Sequence, residues 1–226
     1  MPFLPPALLA YADQHTAPEP PLLTRLARET HVRVHRARML SGHAQGRLLS
    51  LLSKLIRPRR ILEIGTFTGY SALCLAEGLA PDGELHTIDV NDELAALATR
   101  YFAEAGLADR IHGHWGCPAA DALPDLCATC ATAGPWELVF IDANKDQNQL
   151  YYDLVLDHIR PGGLLLVDNV LWYGKVLDEY LPDPARPLDK ETRAVRAFND
   201  AVLTDTRVEP LFLPLRDGLL LLRKAM

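Results

Sequence analysis

From position 60 onward, short apolar runs alternate with longer stretches in which apolar residues recur every three or four positions. This pattern predicts repeated β-α units and a mainly parallel sheet. The predicted strands are Ile61 to Gly65, Glu84 to Asp89, Arg110 to His114, Glu137 to Asp142 and Leu164 to Asp168. Helices are expected over about Tyr70 to Leu79, ended by Pro81-Asp82-Gly83, and over about Glu93 to Ala105, ended by Gly106. A third runs over about Gln147 to Ile159 and closes at Pro161-Gly162-Gly163. A helix over about Lys190 to Leu203 precedes two last apolar runs, Val208 to Leu213 and Gly218 to Leu222. Only Pro214-Leu215-Arg216-Asp217 separates those runs, which is too short for a crossover, so they are expected to pair antiparallel.

Upstream of Arg60, apolar residues fall at helical spacing in Leu22 to Val34 and in Leu48, Leu49, Leu51, Leu52, Leu55 and Ile56. This helical preface has no sheet of its own and is expected to cover the active edge of the sheet or a second subunit, which makes a homodimer the expected assembly. The fold class is therefore α/β: a Rossmann-like, doubly wound, mainly parallel seven-stranded sheet with a C-terminal antiparallel hairpin and an N-terminal helical extension. One domain over residues 1–226 is expected, with 1–59 as the extension and 60–226 as the core. The Pro-rich loop from Tyr180 to Leu188 is the expected mobile surface segment.

Composition narrows the function. The net charge is −6 with acids and bases interspersed, so the basic stripe that nucleic acid demands is absent. The N-terminus, Met1-Pro2-Phe3-Leu4-Pro5-Pro6, has no basic region feeding an apolar stretch, and no apolar run approaches the roughly 18 residues of a membrane span. A soluble, cytoplasmic protein without a membrane partner is expected. Four cysteines, Cys74, Cys117, Cys127 and Cys130, are too few and too uneven for a disulfide framework. Cys127-Ala-Thr-Cys130 has the spacing of zinc and redox sites but lacks a second pair, and His112-Gly113-His114 reads as two surface or rim histidines on one strand face.

The chemistry gathers at strand ends. Val139-Phe140-Ile141-Asp142 and Leu165-Leu166-Val167-Asp168-Asn169 are apolar runs that stop on oxygen ligands, and in open α/β sheets ligands collect beyond the carboxyl ends of such strands. Asp142, Asp168 and Asn169 suit a hard dication such as Mg²⁺, which takes one or two carboxylates and leaves positions open. After the first strand, Gly65-Thr66-Phe67-Thr68-Gly69 is a tight ligand-approaching loop that does not satisfy the G-x-G-x-x-G dinucleotide fingerprint. Asp89, 20 residues beyond Gly69, is placed to accept from ribose hydroxyls. With Glu63 beside the loop and no Walker-type lysine, the pocket is acidic, which favours a cationic adenosine ligand, S-adenosylmethionine. A doubly wound nucleotide-binding oxidoreductase and a non-catalytic methyl-donor-binding scaffold are the alternatives.

At these residues the chain resembles the cation-dependent O-methyltransferases, the family of caffeoyl-CoA and catechol O-methyltransferases, from about His35 to Lys224. The resemblance is carried by Arg38-Met39-Leu40-Ser41-Gly42, Leu62 to Ser71, Phe140-Ile141-Asp142-Ala143-Asn144-Lys145, Val167 to Trp172 and Arg216-Asp217-Gly218-Leu219. It implies that Asp142, Asp168 and Asn169 hold the metal, with Asp142 also among the donor-site and catalytic groups, and that Lys145 is the catalytic lysine. It implies donor binding by Met39, Ser41, Glu63, Gly65, Thr66, Ser71, Asp89, Pro118 and Ala119, and an acceptor pocket with Lys145, Trp172 and Tyr173. Asn144 departs from the Asp of many relatives, and Gln45 from an acid common in the plant enzymes. The implied reaction moves a methyl group from S-adenosylmethionine to one hydroxyl of a vicinal diphenol, a small-molecule phenolic acceptor.

Overall fold

The computed structural model describes residues 5–183 and 186–226; Pro184 and Ala185, inside the loop expected to be mobile, and residues 1–4 lie outside the described set. In chain order the elements are α1 (Pro6–Gln14), α2 (Pro21–Arg33), α3 (His43–Ile56), β1 (Arg60–Ile64), α4 (Tyr70–Ala76), β2 (Glu84–Asp89), α5 (Ala95–Glu104) and β3 (Ile111–Trp115). There follow α6 (Ala119–Ala128), α7 (Cys130–Ala133), β4 (Trp136–Ile141), α8 (Asn148–Val155), β5 (Ile159–Asp168), α9 (Lys190–Thr204), β6 (Val208–Leu213) and β7 (Leu219–Lys224). The strands form a seven-stranded sheet in the order β3-β2-β1-β4-β5-β7-β6. No helix among the described residues is long and apolar enough to cross a membrane.

The described residues divide into two compact units, one ending at Ala122 and one beginning at Leu123. In the first, β1, β2 and β3 are parallel, with Ile64 paired to Ile88 and Asp89 to Trp115. Every residue of β1 is buried, as expected of a central parallel strand, and so is every residue of α4. The α3 helix packs on α4: Ser53 Oγ donates to the Leu75 carbonyl at 2.5 Å, and a Cβ at Gly46 would lie 2.7 Å from the Tyr70 ring. Beside that seam Glu77 accepts from Arg47 at 2.6 Å, Lys54 at 2.6 Å and Ser50 at 2.7 Å. Burial alone would raise the Glu77 carboxyl, but these donors outweigh it and hold it at about 2.

In the second unit β4 and β5 are parallel, and β7 lies antiparallel to both β5 and β6, so the short connection before Leu219 makes the expected hairpin. One boundary differs from expectation. Pro161-Gly162-Gly163 does not close a helix but lies inside β5, where pairing with β4 jumps from Trp136↔Ile159 to Leu138↔Leu164. A bulge tolerates a proline that cannot donate and glycines that add no side chain to the ladder. The helix expected over about 147–159 is broken into a 3-10 turn at Lys145–Gln147, α8, and a second 3-10 turn at Leu156–His158. Three helices had no forecast: α1, which buries none of its residues, the short α7, and α6, which carries Pro124 in its interior.

Candidate active site

The donor-type loop is built at the carboxyl ends of β1 and β2. Gly65 N donates to the Ile88 carbonyl at 2.9 Å, and Gly69 N closes the turn onto the Thr66 carbonyl at 2.9 Å. Gly69 has φ +85 and a Cβ there would stand 2.6 Å from Phe102, so both backbone and space require glycine. Glu63 is fully buried and accepts from Thr87 Oγ1 at 2.5 Å, and Thr66 Oγ1 shares a 2.5 Å hydrogen bond with the same hydroxyl. Asp89 holds the loop directly, its Oδ2 accepting from Thr66 N at 3.1 Å and Phe67 N at 2.7 Å, while its Oδ1 accepts from Asn91 N at 2.9 Å. A carboxylate has about four acceptor sites, so these contacts leave capacity for a ribose hydroxyl. Ser71 and Ala119 are buried, Ser41 is 5% exposed just before α3, and Met39 is 54% exposed in a 3-10 turn; Pro118 precedes α6.

The metal-type set lies at the ends of β4 and β5. Ile141 pairs with Val167, so the next residues, Asp142 and Asp168, continue neighbouring parallel strands at the same level, where adjacent backbones run about 4.8 Å apart. Asp168 is 4% exposed, and its Oδ1 accepts from Asn169 N at 2.8 Å. Asn169 itself has φ +62, in the left-handed region that asparagine tolerates better than most residues. Lys145, 8% exposed in its 3-10 turn, donates to Asp142 Oδ1 at 2.8 Å. Desolvation drives the Asp142 carboxyl up, the Lys145 ammonium pulls it back, the Asp168 charge pushes it up again and Arg216 lowers it. Two carboxylates side by side, the charge of Asp168 opposing ionisation of Asp142, with an amide attached, fit an oxygen-preferring dication, because its charge removes the repulsion.

Two residues nearby received no site role from the sequence. Asp217 Oδ1 accepts from Tyr173 N at 2.6 Å, and burial raises its carboxyl, with the Asp168 charge adding to the rise. Arg216, with φ +54, acts on Asp142 as just described. The only signal for either was membership of the Arg216-Asp217-Gly218-Leu219 segment. Trp172 and Tyr173 both have positive φ, +49 and +57, and their rings lie 5.4 Å apart; the buried Trp172 Nε1 has no partner among the described residues. All four cysteines are thiols, and those of Cys127 and Cys130 face the carbonyls of Leu154 and His158.

The family model described as O-methyltransferase matches residues 13–225. The chain belongs to the O-methyltransferase family. This O-methyltransferase is 38% identical over 190 residues to caffeoyl-CoA O-methyltransferase 2 of Zea mays, covering 82% of this chain and 70% of the maize protein. It is 32% identical over 218 residues to the probable caffeoyl-CoA O-methyltransferase 2 of Dictyostelium discoideum, covering 96% and 91% of the two chains. Among solved structures, the O-methyltransferase TomG of Streptomyces achromogenes, involved in tomaymycin synthesis and in complex with S-adenosylmethionine, superposes with TM-score 0.85 at 33% identity over 97% of this chain and 96% of that one. The protein is an S-adenosylmethionine-dependent enzyme, and the oxidoreductase and scaffold alternatives fall with that membership.

Proposed function

We propose that this O-methyltransferase is divalent-metal-dependent and methylates one hydroxyl of a vicinal diphenol. What supports this reading above all is the β4–β5 register, which brings Asp142 level with Asp168 and its neighbour Asn169. Asp142, Asp168 and Asn169 would hold the metal, with Asp142 Oδ2 left open by the Lys145 contact to Oδ1. When bound, a Mg²⁺-class ion supplies charge that favours ionisation of a phenol, whose pKa is otherwise about 10, and orients two adjacent oxygens. S-adenosylmethionine supplies the methyl group on a sulfonium.

The protein's own residues do the rest. Glu63, Gly65, Thr66, Ser71 and Asp89 are assigned to the donor, with Met39, Ser41, Pro118 and Ala119 around it, because displacement at the methyl carbon is in-line and demands a fixed donor. Lys145 Nζ takes or stabilises the charge of the acceptor oxygen. Its tether to Asp142 limits its range, so as an ammonium it holds the phenolate at a defined place, and it can take the phenol's proton there only after giving up its own. Trp172 and Tyr173 wall the acceptor, and the unpartnered Trp172 Nε1 offers a donor to an acceptor oxygen. Left-handed φ at two consecutive aromatic residues costs of order 1–3 kcal/mol each and persists where surrounding contacts impose it, a pattern common at ligand clamps.

A donor-consumption screen over vicinal diphenols and their monohydroxy analogues, with Mg²⁺ or with excess EDTA, tests the reading. Turnover is expected for vicinal diphenols with Mg²⁺ alone. Undiminished methylation in EDTA, or equal turnover of the monohydroxy analogues, overturns it.

A further inference from the structure

The histidines that read as surface residues converge with an acid at the opposite end of β2 from Asp89. Among the described residues, Glu84, His86 and His112 are a trio whose ligand atoms all lie within 4.8 Å of one another. His86 and His112 are register partners on β2 and β3, and their rings stand 4.9 Å apart. His86 Nε2 lies 3.2 Å from Glu84 Oε1, and His112 Nε2 lies 3.7 Å from Glu84 Oε2. Tetrahedral zinc with bonds of about 2.0–2.2 Å separates its ligand atoms by roughly 3.3 Å. Each Glu84 oxygen therefore stands by one ring nitrogen at close to that spacing, Oε1 by His86 and Oε2 by His112. His112, 42% exposed, has the freedom to draw in toward the other two.

A fourth residue supplies what imidazole ligands ordinarily have behind them. His86 Nδ1 lies 3.1 Å from His114 Nε2, so when His86 coordinates through Nε2 its Nδ1–H donates to His114 and fixes the tautomer. Burial, and then the neighbouring His112, lower the His114 imidazole. Burial likewise lowers His86, partly offset by Glu84. Arg60 Nε meets Glu84 Oε1 at 3.1 Å, which leaves Oε2, on the His112 side, as the oxygen turned to a cation. Arg110 is turned away onto the carbonyls of Gly83 and Ala80.

We propose that Glu84, His86 and His112 form a cation site of their own, taking an imidazole-preferring divalent metal of the Zn²⁺ class, with His114 as the positioning residue behind His86. Imidazole-rich sets select zinc, nickel and copper rather than magnesium or calcium, so this site and the all-oxygen set at Asp142 differ in the metal they take. Because β3 is the edge strand, bound metal clips that edge to β2. Along β2, at about 3.3 Å per residue, the site lies between roughly 10 Å (His86) and roughly 17 Å (Glu84) from Asp89, apart from the proposed ribose contact.

The test is calorimetric titration of the full chain with Zn²⁺ in excess Mg²⁺, alongside His112→Ala, Glu84→Gln, His114→Ala and Asp168→Ala, each checked for folding by circular dichroism. One equivalent is expected to bind wild type and Asp168→Ala alike. Affinity should fall at least tenfold in His112→Ala and Glu84→Gln, and about 10–100-fold in His114→Ala. Co²⁺ should give the visible bands of four-coordinate metal, and Zn²⁺ should raise the melting temperature of wild type but not of His112→Ala. No Zn²⁺ binding in excess Mg²⁺, or equal binding by wild type, His112→Ala and Glu84→Gln, overturns the proposal.

Discussion

Lys145 Nζ sits 2.8 Å from Asp142 Oδ1, three residues away across a turn that leaves both side chains largely shielded from water. The pair joins a would-be proton acceptor to a would-be metal ligand. Lys145→Ala is therefore expected to lower kcat by about 10²–10⁴ with a smaller effect on KM for the acceptor, since the lost interaction strengthens toward the transition state. Steady-state kinetics on a turned-over diphenol decide it, and a change confined to KM would mean that Lys145 only binds.

Asp168→Ala should abolish most turnover at ordinary Mg²⁺ while S-adenosylmethionine still binds, because the residues proposed for the donor do not include Asp168. Equilibrium dialysis with the donor and a Mg²⁺ titration of activity separate the two effects. Wild-type rates in the variant would remove Asp168 from the metal set.

Asp89→Ala should weaken donor binding by tenfold or more, because the loop amides of Thr66 and Phe67 lose their acceptor together with the proposed ribose contact. Asp89→Asn keeps one acceptor oxygen and should fall between the two. Calorimetric donor titrations check the order, and unchanged affinity in Asp89→Ala would remove Asp89 from the donor site.

Gly218→Ala should cost on the order of 1–3 kcal/mol of stability. Gly218 has φ +85, and its Cβ would come within 2.7 Å of Leu171 Cγ and 2.9 Å of Leu171 N. The adjoining Asp217 holds Tyr173, so KM for the acceptor should rise as well. Urea denaturation and kinetics measure both, and a variant as stable as wild type would show that the loop yields freely.

The Glu77 carboxyl titrates at about 2 in the fold against an ordinary 4.5, so its stabilisation is fully present above pH 4.5 and is lost as pH falls from there toward 2. The gain is on the order of 1–2 kcal/mol once solvent screening of a partly exposed group is discounted. Glu77→Gln should be less stable at neutral pH and lose less stability across that acid window. Identical slopes of melting temperature against pH would remove Glu77 as a contributor.

Residue order alone specifies the local features. A run of apolar residues marked β4, because a strand buried on both faces admits little else, and the mixed run of β2 and the largely exposed β6 were legible to the residue as well. The brevity of Pro214 to Asp217 forced the antiparallel hairpin, and strand-terminal Asp142, Asp168 and Asn169 marked the β4 and β5 ends for oxygen-ligand chemistry in residue type alone. Which of these side chains meet is set by the packed fold. The β4–β5 register sets Asp142 level with Asp168, and the loop after Leu213 carries Arg216 and Asp217 to the same place. The β2–β3 register turns His86, a residue with no histidine near it in sequence, into the neighbour of His112 and His114. Periodicity reports which way a side chain faces within its own element, whereas register between strands far apart in sequence is settled by packing of the whole core.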